Sequence, residues 1–246
     1  MFLKKNEKIG FFLAFSVLVC IIQFMSVSLA GIYERQVWIG NALNGLDMEW
    51  RDWNLYQVLL WLLPQLSAFL LYVIAMEEQM GNPYQVMIRT KGWTSWWSCL
   101  QKNVLTYGLG FTGIVAFAAA VSLKFQGTNA TDGYIVALAD LLFPSVFFFF
   151  IQLLFFLEIY LFLKVCFKLQ KLAILCVSLI EIVGMYSGTR VGKMQCLMLG
   201  SNGMWNRYEA TNSSFMEKCI GMGILLGGYW GLCLLMKVYV KKNIEV

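Results

Sequence analysis

The chain contains no histidine. Without an imidazole there is no Ser–His or Cys–His nucleophile pair, no His-ligated zinc and no His-dependent intramembrane protease. Charge is nearly as scarce. Asp, Glu, Lys and Arg make up 13% of the 246 residues, where soluble domains carry about a quarter. A soluble fold of this length could bury a large core, but it would still need a charged surface, and this chain cannot supply one. Cysteine is present without a pattern: Cys20, Cys99, Cys166, Cys176, Cys196, Cys219 and Cys233 stand singly, with no C-x-x-C. Most lie in or beside apolar runs, where the thiol packs as a small hydrophobe. Only Cys196 and Cys219 could meet on the outer side, and nothing fixes their spacing for a disulfide. The nearest approach to a P-loop, "GTRVGKM" from Gly188, is one spacer short and lacks the Ser or Thr after Lys193. It is not a nucleotide site.

What the chain has is apolar length. It is 59% hydrophobic with a mean hydropathy of +0.66, in continuous runs rather than the short alternating segments of a barrel. The sequence therefore predicts an all-α integral membrane protein. Six spans can be drawn, at residues 9–30, 55–76, 104–123, 134–163, 172–187 and 219–240, forming one membrane domain over residues 1–246. The fourth is long and contains Pro144, and the fifth is short. Ser28 and Ala30 form a small-x-small site, but the first apolar run is longer than a signal-peptide core, so it is taken as a retained anchor.

Lys and Arg set the orientation. Lys4, Lys5, Lys8, Arg89, Lys91, Lys102, Lys164, Lys168, Lys171, Lys237, Lys241 and Lys242 fall on one side. Arg35, Arg51, Lys124, Arg190, Lys193, Arg207 and Lys218 fall on the other, farther from the span ends. Both termini are therefore expected in the cytoplasm of a multi-pass protein, and the net charge of +5 needs no nucleic-acid partner. Trp38, Trp50, Trp53, Trp61, Trp205 and Tyr208 are read as interfacial anchors. Asn129 and Asn212 open sequons that matter only in a eukaryotic secretory pathway.

One polar island interrupts this plan: "EEQMGNPYQVMIRTKGWTSWWSCLQK", from Glu77. Asn82 suits an N-cap, Pro83 a first helical position and Gly92 a stop. Tyr84, Met87 and Ile88 make one apolar stripe between them, with Gln85, Arg89 and Lys91 elsewhere. A helix so short is marginal in water and needs a surface, either the membrane or a cytoplasmic partner protein. A second amphipathic element follows. Trp93, Trp96, Trp97 and Leu100 share one face and Thr94, Ser95, Ser98 and Gln101 the other, which predicts an interfacial helix feeding the third span.

In these features the chain resembles the permease subunits of ABC-2-type exporters, and is most similar to the small permeases of Gram-positive bacteria. The likeness rests on an acidic pair closing span two, then "MGNPYQVMIRTKGWTSWW", then Lys102 entering span three. "LGSNGMWNRYEATNSS" before the last span and "YVKKNIEV" after it also fit. The resemblance implies a type V exporter-like half-transporter in the bacterial cytoplasmic membrane. It would be paired with a second permease, identical or a sister subunit, and docked on separate ABC ATPase subunits that bind ATP and Mg. The chain itself would hold no cofactor, metal or catalytic site. The coupling helix would comprise Gln79, Met80, Asn82, Pro83, Tyr84, Gln85, Met87, Ile88, Arg89 and Thr90. The outer loop over 188–218 resembles a cap region that often re-enters the membrane. The implied cargo is amphipathic: antimicrobial peptides, for export or immunity, or lipophilic drugs. Many members carry an amphipathic helix before span one, and the short N-terminus here departs from that.

Two carboxylates remain. Glu181, mid-span in "CVSLIEIVGMY", must face protein or water, because a bare carboxylate at the bilayer centre costs roughly 2.5–3.5 kcal/mol on insertion scales. It lines either the pathway or a permease–permease seam, or it makes a structural hydrogen bond to a neighbouring span. Glu158 is expected to pair with Lys164. A second resemblance fails: "MEEQMGN" is similar to the Glu-Glu-x-x-x-Arg motif of an intramembrane protease family, but Asn82 stands where Arg is required. The alternative class is a non-ABC membrane protein, a secondary carrier or an assembly scaffold, although the broken-helix repeats usual in carriers are not evident.

Overall fold

The computed structural model describes Gly10, Ala14, residues 55–81, 92–125, 143–167, 170–190, Leu199, residues 202–204, Tyr208 and residues 212–244. Five helices occupy these residues and no strand is present among them: α1 Leu55–Gly81, α2 Trp93–Phe125, α3 Phe143–Phe167, α4 Gln170–Arg190 and α5 Phe215–Ile244. Apart from Gly10 and Ala14, the first expected span lies outside the described residues, as do residues 134–142 of the fourth. Pro144 falls on the second residue of α3, in a first turn where its missing N–H costs no intrahelical bond.

α3 is the hub, packed against the other four helices, with its most extensive pairing to α5. Its sequence explains the role. "FPSVFFFFIQLLFFLEIYLFLKVCF" has no polar face, and a helix apolar all round must be surrounded. Every residue from Ile151 to Glu158 is buried. Close approach to it is made through glycine. A Cβ on Gly108 of α2 would stand 2.9 Å from Leu154 Cδ2, and one on Gly228 of α5 would stand 2.6 Å from Phe155 Cε2. α1 buries Trp61, Gln65, Phe69, Tyr72 and Met76, one stripe at helical spacing, with Pro64 inside it.

Two described helices, Phe143–Phe167 and Phe215–Lys242, are long and apolar enough to cross a bilayer. They differ in environment: 67% of the apolar window of the first is buried within the bundle against 28% of the second. α5 therefore shows much of its apolar surface to the outside.

The region from Trp93 differs from the sequence expectation. The interfacial helix and third span are one continuous 33-residue helix. No glycine or proline separates them, and the tryptophan stripe runs on in register through Leu100, Val104, Gly108, Phe111 and Val115, all buried. Trp96 is only 2% exposed, so this face packs on protein rather than on headgroups. Trp61 likewise is buried edge-on to Phe149, with ring centroids 5.8 Å apart, and Tyr208 packs against Phe148 at 5.4 Å. The reason is shared: aromatic rings fill a helix junction as readily as an interface, and composition does not distinguish the two. Gly92 begins the helix. Its φ of 127° is open to glycine alone, and its carbonyl accepts from the Trp96 N–H at 3.2 Å.

α5 opens on a capping box. The Ser214 N–H donates to Glu217 Oε2 at 2.7 Å, and the Glu217 N–H donates to Ser214 Oγ at 3.3 Å. Replacing Ser214 with alanine is expected to cost roughly 0.5–2 kcal/mol, read as a lower melting temperature, with Ser214→Asp retaining most of it. Unchanged melting of Ser214→Ala would show that the box does not hold the helix start. At the other end of the α3–α5 pair, the Tyr239 hydroxyl donates to the Cys166 carbonyl at 3.1 Å, satisfying one of the last carbonyls of α3.

Candidate functional site

The helices converge on two polar layers inside an otherwise apolar bundle. The first is centred on Glu158 of α3, which has no exposed surface. Gln101 of α2 donates from Nε2 to Glu158 Oε1 at 2.8 Å. Cys233 of α5 donates to the same oxygen at 3.2 Å. Tyr229, one turn earlier on α5, donates to Gln101 Oε1 at 3.0 Å. Three helices are thus tied through one carboxyl and one amide. Tyr72 of α1 completes the surroundings, edge-on to Tyr107 at 6.0 Å and to Tyr160 at 6.1 Å. Glu158 Oε2 and the Tyr72 hydroxyl are both buried without a hydrogen-bond partner among the described residues.

This arrangement replaces the expected Glu158–Lys164 pair. The Lys164 ammonium lies over the Tyr160 ring, 5.9 Å from its centroid. Glu158 points instead to α2 and α5, because its position on the hub faces those helices and their donors are neutral. The carboxyl that sequence reasoning set aside joins α3 to both α2 and α5.

The second layer lies six residues earlier on α3, about 9 Å along its axis. Gln152 donates from Nε2 to Glu181 Oε1 of α4 at 3.5 Å, and both side chains are fully buried. Glu181 thus faces a neighbouring helix inside the bundle. The segment leading to α5 closes over this layer: Asn202, Gly203, Met204 and Tyr208 are buried. Gly203 sits so tightly on Gln152 that a Cβ there would collide with its side-chain amide. The Tyr208 hydroxyl reaches Asn202 Oδ1 at 3.5 Å. Part of the loop over 188–218 therefore folds into the bundle rather than over it.

The expected coupling residues are placed as follows. Gln79 and Met80 fall in the last turn of α1, which continues past the expected end of span two. Asn82, Pro83, Tyr84, Gln85, Met87, Ile88, Arg89 and Thr90 lie outside the described residues. Cys219 is an exposed free thiol, and Cys196 lies outside the described residues. No group of three or more His, Cys, Asp or Glu able to hold a metal occurs among the described residues.

Sequence reasoning missed Gln101, Gln152, Tyr229 and Cys233. A signal for the amides was present: Gln65, Gln101 and Gln152 are single amides beside or inside apolar runs, and each incurs the same burial cost that drew attention to Glu181. No family model, characterised protein or solved structure that was compared matches the chain.

Proposed function

We propose that the chain is the permease subunit of an ATP-binding-cassette exporter of the ABC-2 type. In this reading it spans the membrane six times with both termini inside, pairs with a second permease and is driven by separate ATPase subunits. The observation that carries the reading is the polar connection between α1 and α2. Two long helices, ending at Gly81 and starting at Trp93, are joined by a stretch rich in bases and capping residues. A motor pushing there would act on both helices at once. The outward surface also supports a lipid setting. Leu109 and Phe117 on α2, Leu175 and Val183 on α4, and Trp230 and Leu234 on α5 are exposed, while Glu158, Glu181 and Gln152 are buried. An apolar exterior with the polar side chains turned inward suits a bilayer better than water. Amphipathic peptides or lipophilic antimicrobials are the cargo this reading assigns.

The test is co-purification with an ABC ATPase, sought first among the genes adjacent to its own. Reversing both charges, Arg89→Glu with Lys91→Glu, is expected to lower ATPase association and stimulated hydrolysis by on the order of tenfold, since paired interface charges contribute about 1.5 kcal/mol or more. Full association and coupled activity in the double reversal, and again after deletion of 83–90, would overturn the coupling assignment. A secondary carrier is the alternative, and one observation favours it: Glu158, a carboxyl buried among neutral donors, is what an ion-coupled carrier uses.

A further inference from the structure

We infer that Glu158 is a proton-binding site built across α2, α3 and α5, loaded when these helices are packed as here and emptied when α5 parts from α3. The inference does not rest on the permease reading, since a motor-driven exporter and a carrier could both contain such a site.

The two oxygens of Glu158 are treated differently by the fold. Oε1 accepts from the Gln101 amide at 2.8 Å and from the Cys233 thiol at 3.2 Å, whereas Oε2 has no partner among the described residues. A carboxylate would have to place half its charge on an oxygen with no donor among the described residues, in an apolar interior, at a high cost. A carboxylic acid fits the pattern. Its carbonyl oxygen takes both hydrogen bonds and its hydroxyl oxygen carries the proton.

Among the described residues, the groups packed around it supply no compensating cation. α1 presents Tyr72, α2 presents Gln101 and Tyr107, and α5 presents Tyr229 and Cys233. α4 contributes Glu181, which is engaged by Gln152 in the other layer. On α3 itself, Lys164 is directed over Tyr160. Lys102 and Lys237, the bases close in sequence to Gln101 and Cys233, are exposed.

The same geometry links the proton to conformation. Cys233 and Tyr229 reach the site only while α5 lies against α3, a contact made close by Gly228 on Phe155. Separating the helices would admit water to Oε2. The Oε2–H bond could then break, the proton passing to water and a carboxylate remaining. Repacking would require that proton to be taken up again, so one proton is exchanged per opening and closing.

Purified full-length protein in lipid nanodiscs tests this with dicyclohexylcarbodiimide, which modifies protonated carboxyls in apolar surroundings, read by peptide mass spectrometry. Glu158 is expected to be labelled. Once the site titrates, labelling should decline with rising pH, approaching about tenfold per unit. Glu158→Gln keeps the acceptor for Gln101 and Cys233, so it should fold and lose the label, together with the protonated-carboxyl band in the infrared. Glu181→Gln should leave both signals. Hydrogen exchange over 225–240, corrected for intrinsic rates, should quicken with pH in the native protein and not in Glu158→Gln. A folded native protein lacking Glu158 label and band would overturn the proton site. Exchange with the same pH dependence in both proteins would overturn its link to α5. Neither result bears on ATPase association, so the two proposals fail separately.

Discussion

Gly228→Val is expected to break the bundle at its largest joint. The Cβ alone would lie 2.6 Å from Phe155 Cε2 and 3.3 Å from two further ring atoms. Phe155 is buried on the hub helix and sits against Phe156 at 5.7 Å, so its ring has little room to retreat. Overpacking of this kind costs about 1–3 kcal/mol, and the two extra methyls of valine place it at or above the upper end. Because α5 also delivers Tyr229 and Cys233 to the polar layer, the variant should lose Gln101 and Glu158 contacts as well as packing. The expected result is a melting temperature lower by several degrees or more and a broadened elution profile in detergent. Gly223, Gly227 and Gly231 provide the internal control, since a Cβ at any of them meets nothing within 4 Å. Alanine there should leave melting unchanged or raise it slightly, as helix propensity favours alanine by up to about 1 kcal/mol. Equal behaviour of Gly228→Val and Gly227→Ala would show that α5 does not pack on α3 in this register.

The second large effect is expected at Gly203. Alanine would strike the Gln152 amide and would also stand 2.6 Å from its Cβ. The end of a flexible side chain could swing away, but a Cβ is fixed to the α3 backbone, so the turn at 202–204 must lift. Asn202 and Met204 would then be wetted, and the 3.5 Å contact between Gln152 and Glu181 disturbed. A loss of roughly 1–3 kcal/mol is expected, with faster proteolysis confined to this segment. Gln152→Ala removes the amide and should rescue part of the loss, giving a coupling of about 0.5–3 kcal/mol in a double-mutant cycle. Strict additivity would mean that the turn does not rest on Gln152.

What could be read in advance follows from what each signal measures. Long apolar runs report how much surface must leave water, so α3 and α5 were legible, and α1, α2 and α4 were found near their expected places. Boundaries were less legible. α2 begins eleven residues before the expected span because a helix continues wherever nothing stops it, and Gln101 and Asn103 find partners at 2.8 and 3.9 Å that offset their polarity. Trp61 and Trp96 were misplaced for a related reason, whereas Trp38, Trp50, Trp53 and Trp205 lie outside the described residues. A 3.6-residue stripe states that one face is apolar but not whether lipid or protein covers it. The polar layers were least legible, since Glu158, Gln101 and Cys233 are separated by 57 and 75 residues and only the packing around α3 brings them together.

The unbroken course of α2 has a mechanical consequence. Its 33 residues span about 50 Å, well beyond the roughly 30 Å of a hydrocarbon core. Its glycine-mediated approach to α3, at Gly108 against Leu154, falls almost at its midpoint. Two arms of about 22 and 25 Å extend from that approach, the shorter one also tied to α3 through Gln101 and Glu158. A tilt of about 10° there would carry the Trp93 end and the Phe125 end some 4 Å in opposite directions, by the geometry of a straight helix. Whatever grips the chain beside Gly92 holds one end of a seesaw, and the other end answers without any intervening hinge.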